Sequence, residues 1–140
     1  MSTDDQLADE ATQQSVGSSY YQSARAQAAG MLDRPDDLLQ VASAAARSMA
    51  VRSRPFADSL DDFRTLIRLV VSVARGTYTP RDREDVIDVV ASLIYVESPV
   101  DVIPDATPMV GYLDDVAVTG WVLRKARAEL DHFQAWELAL

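Results

Sequence analysis

Residues 98–115 place prolines and carboxylates between two apolar helical patterns, and this stretch constrains the fold more than any other. It reads Ser98-Pro99-Val100-Asp101-Val102-Ile103-Pro104-Asp105 and then, after a short gap, Gly111-Tyr112-Leu113-Asp114-Asp115. Proline removes a backbone donor and ends a regular helix, so the stretch predicts a connector. No Lys, Arg or His occurs between Arg83 and Arg124. The acids in that interval therefore need helix caps, a cation or a basic partner to offset their charge.

Composition narrows the class of protein. The formal net charge of -9 argues against a nucleic-acid partner, because such binding depends on Lys and Arg neutralising phosphates. The chain has no cysteine, which excludes disulfides and thiolate metal sites and suits the cytosol. Neither a signal-peptide pattern nor an apolar run of about 20 residues is visible. We therefore expect a soluble, cytoplasmic protein.

Helical periodicity dominates the chain after a polar start. Residues 1–19 contain few apolar side chains and predict a flexible tail, followed by a single helical domain over residues 20–140. Apolar side chains then recur at helical spacing in five segments. These segments begin near Tyr20, Asp33, Ser59, Thr79 and Gly111, and end near Met31, Pro55, Arg75, Glu97 and Trp136. The pattern predicts an all-α bundle of about four to five helices with a long C-terminal helix.

The connector acids have a structural interpretation as helix caps. Ser98-Pro99-Val100-Asp101 has the form of a capping box with proline at the first helical position. Asp114 and Asp115 lie where the positive end of the last helix favours anions. On this interpretation the acids stabilise helix starts and need no ligand.

A second interpretation of the same residues is a divalent-cation site. Two short turns and a helix start could bring four carboxylates together, and hard oxygen ligands would favour Mg²⁺ or Ca²⁺. The spacing does not match the twelve-residue calcium loop, so a standard EF-hand is excluded. The predicted ligands are Asp101, Asp105, Asp114 and Asp115.

The connector also carries a family resemblance. The stretches Ser-Pro-x-Asp-x-Ile-Pro-Asp and Gly-Tyr-Leu-Asp-Asp resemble the hallmark of the YkvA-like family of bacterial domains of unknown function. The resemblance covers about residues 60–137. It implies a small helical domain with some membrane-associated relatives, and it implies no activity for named residues. The stretch from Ala106 to Met109 is less apolar than in such relatives, which makes lipid contact less favoured here.

Motifs of common enzymes are missing from the sequence. There is no Gly-x-Ser-x-Gly elbow and no phosphate-binding loop, and the one histidine, His132, falls on the polar side of the last helix. Arg64 and Arg68 lie one turn apart and could either neutralise the connector acids or form surface ion pairs. An enzyme is therefore the less favoured prediction.

Aromatic residues suggest where a partner could dock. Trp121 lies near an apolar stripe and is expected in the core, whereas Trp136, Phe133 and Tyr112 are the predicted contact residues. The favoured prediction is a non-enzymatic protein-interaction module that binds a protein partner or a second copy of itself. The alternatives are a cation-binding domain, structural or hydrolytic, and a peripheral membrane protein.

Overall fold

Six helical segments make up the part of the chain that the structure describes. This computed structural model of the 140-residue chain describes residues 19–51, 60–97 and 118–140. The segments are α1 (Ser19–Met31), α2 (Pro35–Val51), α3 (Leu60–Ala74), α4 (Arg83–Glu97), α5 (residues 118–125) and α6 (Arg127–Leu138). None of the described residues forms a strand. The predicted all-α class is confirmed, while the predicted tail lies outside the described residues.

Helix α4 is the central element of the bundle. Helices α1, α2 and α3 all pack against it, and residues 86–93 are buried without exception. Because α4 exposes no face over these residues, its apolar side chains run all the way round the helix. Two polar residues, Asp88 and Ser92, are buried with them. Ser92 satisfies its hydroxyl by donating to the Val89 carbonyl at 2.7 Å, so Asp88 is the residue that needs outside partners.

Helix α1 contacts α4 through small side chains and one aromatic ring. Ala24 and Ala28 are buried, and the buried aromatic residue on the same helix is Tyr21. The α1–α2 turn is short, since the Arg34 amide donates to the Met31 carbonyl at 2.8 Å. The Arg34 carbonyl then accepts the first bonds of α2 from Asp37 and Leu38. Arg34, and not Asp33, therefore occupies the N-cap position of α2.

Helix α3 ends at Ala74, close to the end predicted near Arg75, and a glycine follows shortly after. Gly76 has φ of 72°, in the left-handed region that only glycine adopts readily. Its amide donates to the Val73 carbonyl at 3.1 Å, and the Thr77 amide donates to the Ser72 carbonyl at 3.1 Å. These two bonds define a Schellman motif, which satisfies carbonyls at the helix end.

Helix α4 begins later than the Thr79-Pro80 pattern predicted. Asp82 caps it, because its Oδ1 accepts the Glu84 amide at 2.9 Å, and the helix proper starts at Arg83. The preceding residue Tyr78 is buried, so the loop is anchored before the helix starts. The difference arises because the aspartate is the better cap and the tyrosine holds the loop away from helical geometry.

The long C-terminal helix is nearly continuous over its described part. Ala126 separates α5 from α6 with φ of -95° and ψ of 13°. Helical bonds persist on both sides, from the Ala126 amide to Val122 at 2.8 Å and from the Leu130 amide to Ala126 at 2.9 Å. This slight distortion accounts for the sixth segment beyond the predicted five. The predicted start near Gly111 lies outside the described residues.

Candidate functional site

The predicted connector falls outside the residues that the structure describes. This applies to Tyr112 and to all four predicted ligands, Asp101, Asp105, Asp114 and Asp115. Within residues 19–51, 60–97 and 118–140, no group of three or more acidic or histidine side chains is placed to hold a metal ion. The cation site and its capping alternative both remain predictions.

The other two predicted contact residues lie on α6. Phe133 is fully buried and stacks on Trp136, with ring centroids 5.8 Å apart and an interplanar angle of 25°. Phe133 is therefore a core residue, which revises its predicted place on a contact surface. Trp136 is only partly buried and packs against Tyr78 at 5.2 Å between centroids. An interaction role for Trp136 remains a prediction.

The most unusual feature of the described residues is a buried carboxylate, Asp88, on the central helix. Asp88 is fully buried, yet it meets donors from two other helices. Tyr21 donates its hydroxyl to Oδ1 at 2.8 Å, and Arg25 Nε donates to the same oxygen at 3.1 Å. Lys125 Nζ pairs with Oδ2 from the other side. We call Asp88 with Tyr21, Arg25 and Lys125 the Asp88 junction.

The Asp88 junction has one buried end and one solvated end. Arg25 also pairs with Glu84, one turn earlier on α4, whose side chain is 64% exposed. Hydrogen bonding to Glu84 raises the pKa of Arg25, against an opposing effect of burial. Burial raises the pKa of Tyr21, and the neighbouring Asp88 carboxylate adds to that shift. The phenol is thus held neutral beside a carboxylate whose charge the two cations offset.

Two aromatic rings close the junction on the α5 side. Trp121 meets Tyr21 edge-on at 5.9 Å between ring centroids, and Lys125 Nζ lies 5.2 Å from the Trp121 ring centroid. A cation over an indole face is attracted by the ring quadrupole. Lys125 is therefore held both by the Asp88 carboxylate and by the Trp121 ring. Trp121 packs against the core as predicted.

A second buried carboxylate, Glu129, lies at the start of α6. Its Oε1 accepts the Asp82 amide at 2.7 Å, and its Oε2 accepts the Tyr78 hydroxyl. His132 Nδ1 is 2.6 Å from that hydroxyl and 3.6 Å from Glu129 Oε2. Because Tyr78 has a single proton and donates it to Glu129, we assign the proton of the second bond to His132 Nδ1. We call Glu129 with Tyr78, Asp82 and His132 the Glu129 junction.

The Glu129 junction borders a pocket of about 240 Å³. The pocket is lined by Arg81, Asp82, Asp85, Ala128 and Glu129. Burial raises the pKa of Asp85, and the like charge of Asp82 adds to the shift. The same burial, followed by the hydrogen bond to Glu129, raises the pKa of Tyr78. The Asp85 carboxyl in the pocket wall therefore ionises less readily than a free carboxyl group.

Each junction joins segments that are distant in sequence, and both oxygens of Asp88 and both oxygens of Glu129 have a donor. Asp88 ties α1 and α5 to α4, while Glu129 ties α6 to the loop before α4. Buried charges that are paired hold elements in register. The two junctions therefore link separate segments of the bundle through buried ion pairs and hydrogen bonds.

Sequence reasoning had singled out neither junction, although part of the signal was present. Asp88 lies within the Val86 to Val90 stripe, and Glu129 adjoins Leu130 in the stripe of the last helix. An acid inside an all-round apolar segment must be buried and must therefore be paired. The partners could not be read in the same way, because they come from other helices. Arg64 and Arg68 form surface ion pairs with Asp61 and Glu137, which agrees with one of their two predicted roles.

The geometry defines a small all-α domain whose central helix is tied to its neighbours by buried carboxylates. Residues 87–121 of this chain match the family described as "Protein of unknown function (DUF1232)", and that segment includes Asp88, the connector and Trp121. A curated relative, "Uncharacterized membrane protein YkvA" of Bacillus subtilis (strain 168), is 27% identical over 74 residues. The aligned region covers 53% of this chain and 70% of the relative. No solved structure matches the chain significantly.

These matches confirm the resemblance predicted from the connector motif. Over part of its length the chain is similar to the YkvA-like domains of unknown function. As for the membrane, none of the helices in the described ranges is both long enough and apolar enough to cross a bilayer.

Proposed function

We propose that this chain is a non-enzymatic helical interaction module whose partner is a second copy of itself. The proposed contact surface is the end of α6, formed by Trp136, Leu138 and Leu140, which we call the α6 patch. The proposal places the protein in the cytosol, in keeping with an acidic chain that lacks cysteine. The proposal adds a binding role to the resemblance between this chain and the YkvA-like domains.

The observation that carries the proposal is the exposure of the two leucines. Leu138 and Leu140 are 89% and 87% exposed, whereas Leu130 and Phe133, earlier on α6, are buried. Trp136, earlier on the same helix, is half-buried. Exposed apolar patches mark interaction sites, and tryptophan is enriched among the residues that dominate interfaces. A patch at a helix end can pair with itself across a two-fold axis, which is the commonest symmetry of protein dimers.

The paired state of the buried acids supports a binding role over a catalytic one. Asp88 and Glu129 each have both oxygens occupied by donors from the protein itself. General acid–base catalysis needs a group within reach of a substrate proton. In the described residues these acids face internal partners, so their role is to fix the shape on which the α6 patch is presented.

Sedimentation of the full chain over a range of concentrations tests the proposal. We expect a monomer–dimer equilibrium that Leu138→Ser weakens at least about tenfold, a change of about 1.4 kcal/mol. Leu138 is almost fully exposed, so its replacement leaves the core intact. Gln134→Ser, an exposed change on the same helix, is the matched control and should leave the equilibrium unaltered. A chain that stays monomeric, or a dimer indifferent to Leu138→Ser, overturns the proposal.

Ionic strength provides a second readout of the same dimer. Each copy carries a formal net charge of -9, so two copies repel one another in dilute salt. Association through an apolar patch should therefore tighten as salt screens that repulsion. A dimer that weakens with salt would be held by ion pairs, which contradicts the proposed surface.

Peripheral membrane contact is the second candidate, and one finding favours it. The relative from Bacillus subtilis is described as a membrane protein. The α6 patch could insert its exposed leucines and tryptophan at a lipid interface. The negative net charge predicts binding to zwitterionic vesicles before anionic ones. Flotation with both vesicle types tests this, and recovery of all protein away from the lipid with each type would refute it.

A further inference from the structure

One residue outside α6, Tyr78, contacts α6 along two of its turns. Tyr78 belongs to the loop between α3 and α4 and is only 3% exposed. Its ring centroid is 5.5 Å from that of His132, 5.0 Å from that of Phe133 and 5.2 Å from that of Trp136. Its hydroxyl donates to Glu129 near the start of the helix. The contacts of this one side chain therefore extend from the Glu129 junction to the tryptophan of the α6 patch.

The loop that carries Tyr78 is held on both sides of that residue. The amides of Thr77 and Tyr78 donate to the Ser72 carbonyl at 3.1 and 3.3 Å, and the Thr77 hydroxyl donates to the same carbonyl at 3.2 Å. On the other side, the Asp82 amide donates to Glu129 at 2.7 Å. Buried, hydrogen-bonded segments are among the least mobile parts of a fold. Tyr78 is therefore a rigid support for the side chains of α6.

Trp136 contacts two aromatic rings among the described residues, and they differ in what they can fix. Phe133 stacks on it from the preceding turn of the same helix, so that contact moves with α6 as a unit. Tyr78 meets it from a separate element, at an interplanar angle of 58°. Of these two contacts, only the one with Tyr78 fixes the Trp136 ring relative to the rest of the bundle.

An ion pair also joins the last turn of α6 to α3, but it is exposed. Arg68 Nε lies 3.0 Å from Glu137 Oε2, and the two side chains are 49% and 27% exposed. Ion pairs of this kind contribute little to stability and are screened by salt. The contact between Tyr78 and Trp136 involves no charge, so salt leaves it in place. Tyr78 is therefore the stronger determinant of how the α6 patch is presented.

We infer that Tyr78 is a positioning residue for self-association, because it holds the Trp136 ring in the orientation that a second copy of the chain contacts. This inference rests on the proposed function of the α6 patch and names the residue that prepares that patch for binding. A side chain that is ordered before association loses less conformational entropy when the complex forms. Tyr78 therefore favours the dimer without touching the second copy.

Sedimentation of full-length variants tests the role of Tyr78 in the dimer. Tyr78→Leu keeps an apolar side chain but removes the ring contact with Trp136, so we expect it to weaken the dimer about tenfold. Tyr78→Phe loses the bond to Glu129 but keeps the ring, and it should associate as the wild type does. Leu38→Ala, a core change on α2, is the control for a general loss of stability and should leave association unaltered.

The outcomes separate this inference from the proposed function. A dimer that weakens with Leu138→Ser but is indifferent to Tyr78→Leu overturns the positioning role alone. Equal weakening by Tyr78→Leu and Leu38→Ala also overturns it, because the effect then follows stability and not the ring contact. A wild type that stays monomeric overturns the proposed function, and the positioning role is then overturned with it.

Fluorine NMR of the chain labelled with fluorotryptophan gives a readout that a loss of stability alone would not change. The chain has two tryptophans, so two signals are expected, and Trp136→Phe assigns them. At a concentration where the protein is monomeric, Tyr78→Leu should shift the Trp136 signal toward that of free fluorotryptophan. Tyr78→Phe and Leu38→Ala should leave that signal in place. A Trp136 signal that is unchanged in Tyr78→Leu would show that another contact holds the ring, which refutes the inference.

Discussion

Asp88 shows how a single residue can decide whether an apolar helix is compatible with its surroundings. Its side chain is fully buried on α4, where an unpaired carboxylate would be strongly disfavoured. Two cations and a phenol offset that cost, and both cations keep part of their side chains in water. Such a pair contributes more to the choice of one arrangement than to net stability, since replacing it with apolar groups is often neutral. Removing one partner alone is destabilising, because it leaves the remaining charge buried and unpaired.

We expect Asp88→Asn to destabilise the protein by about 2–3 kcal/mol, because Arg25 and Lys125 then lose their buried anion. The midpoint of urea unfolding measures the change, provided that the slope stays constant. Glu84→Gln removes an exposed partner of Arg25 and should cost less than about 1 kcal/mol. Equal losses in the two variants would show that the burial of Asp88 carries no particular weight.

Alkaline pH should unfold the protein cooperatively through its buried phenols. Burial raises the pKa of Tyr21 and Tyr78 above the value of about 10 in unfolded chains. A raised pKa means that the folded state holds the proton more tightly. The contribution of each phenol is thus complete below about pH 10 and is lost as pH rises beyond it.

Ultraviolet absorbance of tyrosinate and helical circular dichroism, followed in one titration, check this expectation. Ionisation of the buried phenols should coincide with loss of helix. Tyr21→Phe should reduce the steepness of the stability loss at high pH, whereas the wild type and variant should respond alike below about pH 9. Gradual ionisation with the helices intact would contradict the prediction.

At the scale of elements, the periodicity of the sequence predicted the helices, but it did not predict the contacts between them. The spacing of Leu66, Val70 and their neighbours predicted α3, and Gly76 predicted its end. These signals are local, because they depend on side chains within one or two turns. The start of α4 was misplaced because Asp82 and Pro80 offer competing local signals, and the structure uses Asp82 as the cap.

The candidate site was harder to predict from the sequence, because its contacts join residues that are far apart along the chain. Asp88 could be recognised as a buried acid, but Arg25 and Lys125 lie 63 and 37 residues away along the chain. Nothing local distinguishes these cations from the other exposed ones. The pairing depends on which helix packs beside α4, and that is a property of the whole fold.

Gly76→Ala tests the local signal that ends α3. A Cβ at this position would meet nothing within 4 Å, so the cost is purely the left-handed backbone conformation. We expect a loss of about 1 kcal/mol, measured as a drop in melting temperature. Gly120→Ala on α5 is the matched control. Replacing an ordinary helical glycine with alanine should raise the stability of the protein by about 0.5–1 kcal/mol. A neutral result at Gly76 would mean that the turn relaxes to another conformation.

At the scale of the whole molecule, charge is the dominant property. A formal net charge of -9 creates self-repulsion, which salt should screen and so raise the melting temperature. If the connector acids act as caps, MgCl₂ or CaCl₂ should give the same rise as NaCl at equal ionic strength, and this is the outcome we expect. An additional rise that is lost in Asp101→Asn/Asp115→Asn would instead establish the cation site by mass action.

The donors of Asp88 come from segments on either side of α4 in the chain, 63 residues before it for Arg25 and 37 residues after it for Lys125, and this affects folding during protein synthesis. Arg25 leaves the ribosome before α4, whereas Lys125 leaves it last among the residues of the Asp88 junction. The carboxylate is therefore only half neutralised while translation continues. A nascent chain stalled just ahead of Lys125 should remain open to protease, and one stalled well beyond residue 140 should be protected. The buried acid thus gains its last donor only after the segment that carries Lys125 has been synthesised and has packed against α4.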